Sequence, residues 1–206
     1  MYNPHLKPGV LEVICGPMKS GKTHELIHRV DKLMFVEEFS FLVVKPSVDT
    51  RSEKVQSRFG ELSLECVFVE DPREVFAVYS GEQVVVFDEA HFFADSVVAV
   101  VEELLSRDVH VIIAGLDLDF RGEPFGAMPA LLALADEVHK LVGVCDMAGC
   151  SNAASRTQRL VDGAPASYDE PLIVVGDVKE GYQTRCKEHH VVPGRPRSSF
   201  SEQRTL

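Results

Sequence analysis

Hydrophobic residues in the first two-thirds of the chain form short continuous runs that alternate with stretches of helical periodicity. Continuous apolar runs of this length are typical of strands that are buried on both faces of a sheet. The strands predicted from them, together with one strand of alternating pattern at 62–69, cover 10–15, 39–45, 62–69, 84–88, 109–115 and 138–144. The helices predicted from apolar residues at helical spacing cover 22–35, 72–79, 95–107 and 128–135.

The alternation of buried strands and helices predicts an α/β fold with a parallel sheet and right-handed crossovers. Residues 47–60 are polar and are predicted to form a mobile loop, and 116–127 form a loop that contains Gly and Pro. From Cys145 the apolar runs shorten, and Cys, His, Tyr and Pro become common, so a domain boundary is placed there. The polar tail, 193–206, is expected to be disordered.

Composition limits the classes of function. The 206 residues carry a net charge of −11, which argues against a nucleic-acid backbone as the main partner. Five cysteines, an odd number, favour a reducing compartment over a disulfide framework. The N-terminus has no apolar signal core, and no apolar run approaches the length of a membrane span, so a cytoplasmic protein is expected.

The most specific motif lies between the first predicted strand and the first predicted helix. Residues 16–23, GPMKSGKT, fit G-x-x-x-x-G-K-[ST]. Gly16 and Gly21 permit backbone geometry closed to other residues, so that the N–H groups of the loop can surround an anion. Lys22 is predicted to bind the β- and γ-phosphates, and the Thr23 hydroxyl to bind Mg²⁺. The fold class is therefore predicted to be that of P-loop NTPases.

A second feature is the acidic pair Asp88–Glu89, at the end of a fully apolar strand. In P-loop proteins a carboxylate at such a strand end faces the Mg²⁺ site, which assigns Asp88 to the metal and leaves Glu89 for proton transfer. The string Asp88-Glu89-Ala90-His91 also spells the box of DEAH helicases. That alternative, a nucleic-acid-dependent ATPase, requires two motor domains and a basic track, and this acidic chain has length for one domain.

Two pairs of metal-binding residue types flank about 35 intervening residues: Cys145 with Cys150, and Cys186 with His189. Each pair lies in a short predicted turn, so the four side chains could bind Zn²⁺ tetrahedrally, as in a zinc ribbon. The four-residue gap in the first pair is longer than the usual two. His190 is a competing fourth ligand. A catalytically silent zinc-ribbon interaction module is therefore an alternative to an enzyme that uses the phosphate loop.

These residues, taken together, resemble the type II (cytosolic, zinc-containing) thymidine kinase family. The resemblance extends over nearly the whole chain outside the two termini, and the order of the motifs makes it specific. The matching stretches are GPMKSGKT at 16–23, KPSVDTR at 45–51, SRFG at 57–60, FDEAHFF at 87–93, GLDLDFRGEPFG at 115–126, ASRTQRL at 154–160, PASYDEP at 165–171 and a VVG…Y…C…H pattern at 174–189.

The resemblance implies roles for individual residues, with Glu89 as the catalytic base. The residues implied to hold ATP and its phosphates are Gly16, Pro17, Met18, Lys19, Ser20, Gly21, Lys22, Thr23, Asp49, Arg51, Asp88 and His91. The residues implied to hold the nucleoside are Phe120, Phe125, Thr157, Leu172, Ile173, Val174, Val175, Gly176 and Tyr182. Leu172 to Gly176 match a lasso whose backbone pairs with the base, and Met18 and Thr157 match positions near the thymine methyl.

The resemblance also implies the reaction and the organisation of the chain. ATP with Mg²⁺ would phosphorylate the 5′-hydroxyl of thymidine, and also that of deoxyuridine, to give the monophosphate in nucleotide salvage. Structural Zn²⁺, feedback inhibition by dTTP and a homotetramer are implied, with neither nucleic acid nor membrane as partner. Residues 1–144 would form the ATP-binding domain, and 145–192 a zinc-binding lasso subdomain that closes over the nucleoside. His91 departs from the family pattern, which has glutamine there.

Overall fold

Six parallel strands form the central sheet of the protein in the computed structural model, which describes residues 6–34, 40–49, 54–56, 63–173 and 180–196. The strands in chain order are β1 (Leu11–Cys15), β2 (Phe41–Pro46), β3 (Lys54–Gln56), β4 (Ser63–Glu65), β5 (Val67–Val69), β6 (Val84–Phe87), β7 (His110–Gly115), β8 (Glu137–Lys140), β9 (Gly143–Val144), β10 (Ala153–Ala154), β11 (Arg156–Val161), β12 (Ala164–Pro165) and β13 (Glu180–Arg185). The helices are α1 (Lys22–Met34), α2 (Val75–Val78), α3 (Val97–Ser106) and α4 (Met128–Leu134).

The strand order of the central sheet is β5-β2-β6-β7-β1-β8, and all of its pairings are parallel. The predicted α/β fold with a parallel sheet is therefore confirmed. In a parallel sheet all strands end at the same edge, so the segments after β1, β6 and β7 lie together. Because β7 lies between β1 and β6 in the sheet, the phosphate-loop motif and Asp88–Glu89 follow strands that are not adjacent.

The sheet is covered on both faces because successive strand residues point to opposite sides. In β1, for example, Val13 belongs to one apolar cluster and Ile14 to the other. The first cluster includes the apolar side chains of α3 and α4, and the second includes those of α1. The continuous apolar runs of the sequence reflect this burial on two sides.

The helices α2, α3 and α4 are shorter than the sequence pattern predicts. The predicted helix at 72–79 is a 3₁₀ turn, Pro72–Glu74, followed by the four-residue α2. Asp71 caps this turn: its carboxylate accepts from the Arg73 N–H, and Glu74 completes a capping box. Within the described residues, no helix has the length and apolar character needed to cross a membrane.

Two predictions between residues 47 and 69 are wrong in part. The segment predicted as a loop contains β3, which pairs antiparallel with β4. The single strand predicted at 62–69 is two strands, since β4 belongs to this hairpin and β5 to the central sheet. Cys66 lies between them. An alternating pattern marks half-buried strands, but it does not show that the chain changes sheets at one residue.

The strand predicted at 138–144 is also divided. Its first part is β8, at the edge of the central sheet, whereas β9 pairs antiparallel with β10 in a separate two-stranded sheet. The region after Cys145 contains a three-stranded antiparallel sheet, in the order β12-β11-β13, which the sequence analysis did not predict. Its strands are polar on both faces, so they lack the apolar runs on which that analysis depended.

Candidate functional site

The loop that follows β1 has the backbone geometry its motif predicts. Gly16 and Gly21 have φ of 142° and 90°. A Cβ on Gly16 would lie 2.4 Å from the Leu141 carbonyl oxygen, so glycine is required there for contact as well as for conformation. Because α1 begins at Lys22, the positive end of its dipole lies against the loop. The loop is therefore built to hold an anion.

Lys22, the lysine of this motif, faces three carboxylates. Its ammonium donates a hydrogen bond to the Pro17 carbonyl oxygen over 2.8 Å. Burial lowers the pKa of Lys22, while the charges of Glu89, Asp88 and Asp117 act in the opposite direction. These effects place Lys22 between the phosphate loop and the acidic residues that follow β6 and β7.

Asp88 and Glu89 follow β6 and differ in burial and backbone conformation. Asp88 is 4% exposed, and burial, with the charge of Glu89, raises the pKa of Asp88 well above its usual range. The Glu89 backbone N–H donates to Asp88 Oδ1 over 3.0 Å. Glu89 adopts a left-handed conformation, with φ of 53°, which is uncommon for a residue with a side chain and occurs often at functional sites.

His91 is buried and lies next to Glu89. Its Nδ1 accepts a hydrogen bond from the Leu116 backbone N–H over 3.1 Å, so a neutral imidazole carries its proton on Nε2. That Nε2 lies 3.6 Å from Glu89 Oε2. The ring centroid is 4.7 Å from that of Phe125. His91, which the resemblance assigned to the nucleotide, thus lies next to Glu89, the implied catalytic base, and next to the ring of Phe125.

A buried ion pair lies beside Asp88 and includes a lysine that the sequence analysis missed. Lys45 Nζ is 2.7 Å from Asp49 Oδ2, and both side chains are buried. The charge of Lys45 lowers the pKa of Asp88 against the larger effect of burial. Opposite charges four residues apart at the end of an apolar strand were the signal for this pair. Arg51 lies outside the described residues.

A second missed residue is Asp117, which follows β7. It is buried, and Lys140 at the end of β8 lies 2.8 Å from its Oδ2. The charge of Asp117 raises the pKa of Lys22 against the larger effect of burial. Burial raises the pKa of the Cys15 thiol, and the charge of Asp117 raises it further. Its place in the sequence, directly after a buried strand, could have identified it, as it did for Asp88.

The loop after β7 carries the two aromatic residues assigned to the nucleoside. Phe120 and Phe125 are 4% and 6% exposed. The guanidinium groups of Arg121 and Arg159 lie 5.2 and 5.4 Å from the centroid of the Phe120 ring. Arg159 is itself fully buried, which the sequence did not indicate. The Phe120 ring therefore lies in a cationic, enclosed setting rather than in open solvent.

Met18 joins the phosphate loop to the C-terminal sheet. Its backbone N–H donates to the Thr157 hydroxyl over 3.0 Å, and its carbonyl oxygen accepts from the Thr184 hydroxyl over 2.8 Å. Met18 and Thr157, which were assigned to one part of the nucleoside, are therefore adjacent. These contacts place the end of the central sheet against β11 and β13.

Two arginine side chains bind the backbone of residues 170–171, which lead into the proposed lasso. Arg121 Nη2 donates to the Glu170 carbonyl oxygen over 2.9 Å, and Arg159 Nη1 donates to that of Pro171. The exposed Leu172 and Ile173 follow, while Val174, Val175 and Gly176 lie outside the described residues. Tyr182 lies on β13 opposite Arg159.

Cys145, Cys150, Cys186 and His189 form one cluster, in which all four potential ligand atoms lie within 4.8 Å of one another. His189 Nδ1 is 3.3 Å from Cys186 Sγ and 3.7 Å from Cys145 Sγ. Gly149, with φ of 79°, lies in the turn of the longer first pair. Burial raises the pKa of the Cys145 thiol, but hydrogen bonds outweigh it and lower the pKa to about 6. Three thiols and an imidazole suit Zn²⁺.

His190, the competing ligand, lies elsewhere. Its Nε2 is 2.8 Å from the Phe120 carbonyl oxygen, and it is not part of the metal-type cluster among the described residues. Burial lowers the pKa of the His190 imidazole. The structure thus places His189, and not His190, beside the three thiols of this cluster.

Known proteins resemble this chain over most of its length. Residues 9–190 match the family model described as Thymidine kinase. A thymidine kinase from Coprothermobacter proteolyticus is 48% identical over 196 residues, which cover 94% of this chain and 96% of that protein. The chain belongs to the thymidine kinase family. Among solved structures, the flagellar accessory protein FlaH from Methanocaldococcus jannaschii aligns with 78% of this chain and 76% of its own, at 13% identity and a TM-score of 0.43.

Membership in the thymidine kinase family confirms the family predicted from the motifs and makes the chain a kinase, an enzyme that transfers phosphate. Family membership also disfavours the two other functional classes, a nucleic-acid-dependent ATPase and a silent zinc module, because the chain matches a kinase family over residues 9–190. The Asp88-Glu89-Ala90-His91 string is therefore a coincidental match to the helicase box.

Proposed function

We propose that this kinase transfers the γ-phosphate of ATP to the 5′-hydroxyl of thymidine. The observation that carries the proposal is the near full-length similarity to a protein named thymidine kinase. The geometry supports it, because the phosphate loop, the acidic pair and the aromatic loop meet at one edge of the sheet. Deoxyuridine, which lacks only the thymine methyl, is proposed as a second acceptor.

The residues from Gly16 to Thr23 hold the phosphates of ATP in this proposal. Their N–H groups and the amino end of α1 bind the anion, and Lys22 exchanges its bond with the Pro17 carbonyl oxygen for one with a phosphate oxygen. Asp49, which pairs with Lys45, and Arg51 are proposed to act on the phosphates as well. Phosphoryl transfer depends on positioning and charge neutralisation, which these residues provide.

Thr23 and Asp88 are the residues that would hold Mg²⁺. Their chemistry fits this ion, since Mg²⁺ takes oxygen ligands, and Asp88 is a buried carboxylate directly after β6. When bound with ATP, Mg²⁺ would neutralise charge on the phosphates. The residues of the chain supply the positions and the dry surroundings.

Glu89 accepts the proton of the acceptor hydroxyl. A sugar hydroxyl does not ionise at neutral pH, so a carboxylate within hydrogen-bond reach is needed as the bond to phosphorus forms. His91 is buried beside Glu89, with its Nε2 3.6 Å from Glu89 Oε2, and we propose that it helps to position this carboxylate. The backbone of Glu89 is left-handed, a conformation that occurs often at functional sites.

The nucleoside is proposed to lie against Phe120, Phe125 and Thr157, under the segment that follows Pro171. In this view residues 145–192 form a subdomain whose Cys3His cluster binds structural Zn²⁺, because four protein ligands leave no position for substrate. Its closure over the nucleoside would exclude water, which competes with the hydroxyl for phosphate. A cytoplasmic homotetramer that dTTP inhibits completes the proposal.

A transfer assay tests the function. Purified protein with Mg²⁺ and ATP labelled in the γ-phosphate is incubated with thymidine, deoxyuridine, deoxycytidine, deoxyguanosine or single-stranded DNA. We expect label in the monophosphates of thymidine and deoxyuridine only. ATP hydrolysis that increases with DNA, with no labelled nucleotide, would overturn the proposal in favour of an ATPase.

A further inference from the structure

His190 connects two parts of the proposed nucleoside site. Its Nε2 lies 2.8 Å from the Phe120 carbonyl oxygen. A carbonyl oxygen can only accept, so Nε2 carries the proton and donates it. The backbone of Thr157 also interacts with the imidazole. One ring therefore joins the loop after β7 to β11.

The packing around the ring leaves it little freedom. A Cβ built on Gly122, in the same loop as Phe120, would lie 3.3 Å from His190 Cε1. On the other side, the neighbouring Val191 exchanges two hydrogen bonds of 2.9 Å with the buried side chain of Gln158. The imidazole is therefore fixed by its chain neighbour as well as by its own contacts.

The residue that precedes His190 belongs to the metal-type cluster. His189 Nδ1 lies 3.3 Å from Cys186 Sγ, and the His189 N–H donates to the Cys186 carbonyl oxygen over 3.2 Å. Successive residues thus face different partners: His189 faces the thiols, and His190 faces Phe120. One peptide bond therefore joins a member of the metal-type cluster to a residue that contacts Phe120.

We propose that His190 is a positioning residue. It connects the loop that carries Phe120 to the metal-type cluster and so fixes the surface on which the nucleoside base rests. The inference rests on the proposed function for the identity of the ligand, but the bond itself can be tested without turnover. Nothing in the sequence distinguishes this role from that of a metal ligand, because both histidines follow Cys186 closely.

Two substitutions separate the bond from the bulk of the ring. His190→Gln keeps an N–H at nearly the distance of Nε2, whereas His190→Leu keeps volume and removes the donor. We expect His190→Leu to raise KM for thymidine about threefold to tenfold, the range that the loss of one hydrogen bond gives, with KM for ATP within about twofold. His190→Gln should restore most of the change.

Hydrogen exchange provides the readout that does not depend on activity. The amides of Arg121, Gly122 and Glu123 are bonded within the loop, so their exchange rates report its order. We expect faster exchange across residues 117–126 in His190→Leu and near-normal exchange in His190→Gln. If the unaltered enzyme proves inactive on thymidine, the proposed function fails, but this comparison still tests the bond.

Three results would overturn the inference. Unchanged loop exchange in His190→Leu would show that the bond does not order Phe120. Loss of bound metal from this variant would make His190 a ligand. A parallel rise in KM for thymidine and for ATP would show general loosening. His28→Leu, at an exposed position of α1, is the matched control and should leave exchange, metal content and both KM values unchanged.

Discussion

Glu89 and Asp88 are adjacent residues of the same chemistry for which we propose different roles. Asp88 is buried directly after β6, whereas Glu89 has a left-handed backbone and its Oε2 lies 3.6 Å from His91 Nε2. The sequence predicted different roles for the two residues from the strand end alone. It did not predict the approach of His91 to Glu89, because the imidazole accepts a hydrogen bond from the N–H of Leu116, which follows β7.

Replacement of Glu89 by Gln tests the assignment of the base. The amide keeps the volume but cannot accept the proton, so kcat should fall by roughly 10²–10⁴ while KM for ATP stays near its normal value. Steady-state kinetics with thymidine measure both constants. Glu103→Gln, at an exposed pair with Arg107 on α3, is the control and should be fully active. A kcat within about twofold of normal for Glu89→Gln would refute the role of Glu89.

Phe120 gives a second prediction at the residue scale. Stacking on an aromatic ring is worth on the order of 1–3 kcal/mol per base, so Phe120→Leu should raise KM for thymidine about tenfold and change KM for ATP little. Phe93→Leu is the matched control, since Phe93 packs against Phe87 in the core. Its substitution should lower the melting temperature without selectivity between substrates. Equal rises in both KM values for Phe120→Leu would place Phe120 in the core as well.

At the scale of elements, the C-terminal region is organised by short strands around the Cys3His cluster. The three-stranded sheet contacts the phosphate loop through Met18. His190, which follows the metal-type cluster in the chain, contacts the Phe120 carbonyl oxygen. The central sheet, in contrast, is complete without this region, because its last strand ends at Lys140. The two parts should therefore respond differently to loss of metal.

Cys186→Ser tests this difference. A serine oxygen replaces a thiolate poorly as a ligand of Zn²⁺, so we expect metal analysis to find about one Zn²⁺ per chain in the unaltered protein and little in the variant. Binding of ATP should persist and binding of thymidine should weaken by an order of magnitude or more, measured by calorimetry. Active enzyme with a metal content near zero would end the zinc assignment.

At the scale of the whole molecule, a charge network closes the edge of the sheet opposite to the phosphate loop. Glu12 on β1 is buried, with Lys7 Nζ at 2.8 Å, Arg29 in contact and His110 Nε2 at 3.3 Å. Lys7 also binds Glu137 at the start of β8. Burial raises the pKa of Glu12, but these partners outweigh it and lower the pKa to about 2.

The network predicts how stability depends on pH. Because the folded-state pKa of Glu12 lies below its ordinary value of 4.5, the stabilisation is present above that value and is lost as the pH falls toward 2. Its size is on the order of 2–3 kcal/mol. Urea unfolding at a series of pH values should show a smaller loss of stability on acidification for Glu12→Gln than for the unaltered protein.

The control for this experiment is Glu102→Gln, an exposed position on α3. Its stability should follow that of the unaltered protein at every pH. An equal acid-induced loss of stability in Glu12→Gln and in the unaltered protein would show that Glu12 does not carry the effect.

The sequence by itself determined the parallel α/β core, the phosphate-loop motif, the acidic pair and the three cysteines of the metal-type cluster. These features depend on local rules: apolar runs buried on two faces, glycines at fixed spacing, and carboxylates at strand ends. The family followed from the order of the motifs. Each of these signals is contained within a few consecutive residues, or in pairs of them at a known spacing.

Only the tertiary structure decided which residues from separate strands meet. Asp117 approaches Lys22 and Lys140 because β7 lies beside β1, and a strand order of this kind is not written in any one segment. The polar strands β11 and β13 gain their stability from pairing with each other rather than from apolar runs. The choice between His189 and His190 likewise depends on what each ring faces in the fold. The sequence cannot make this choice, because the two residues are adjacent and of the same type.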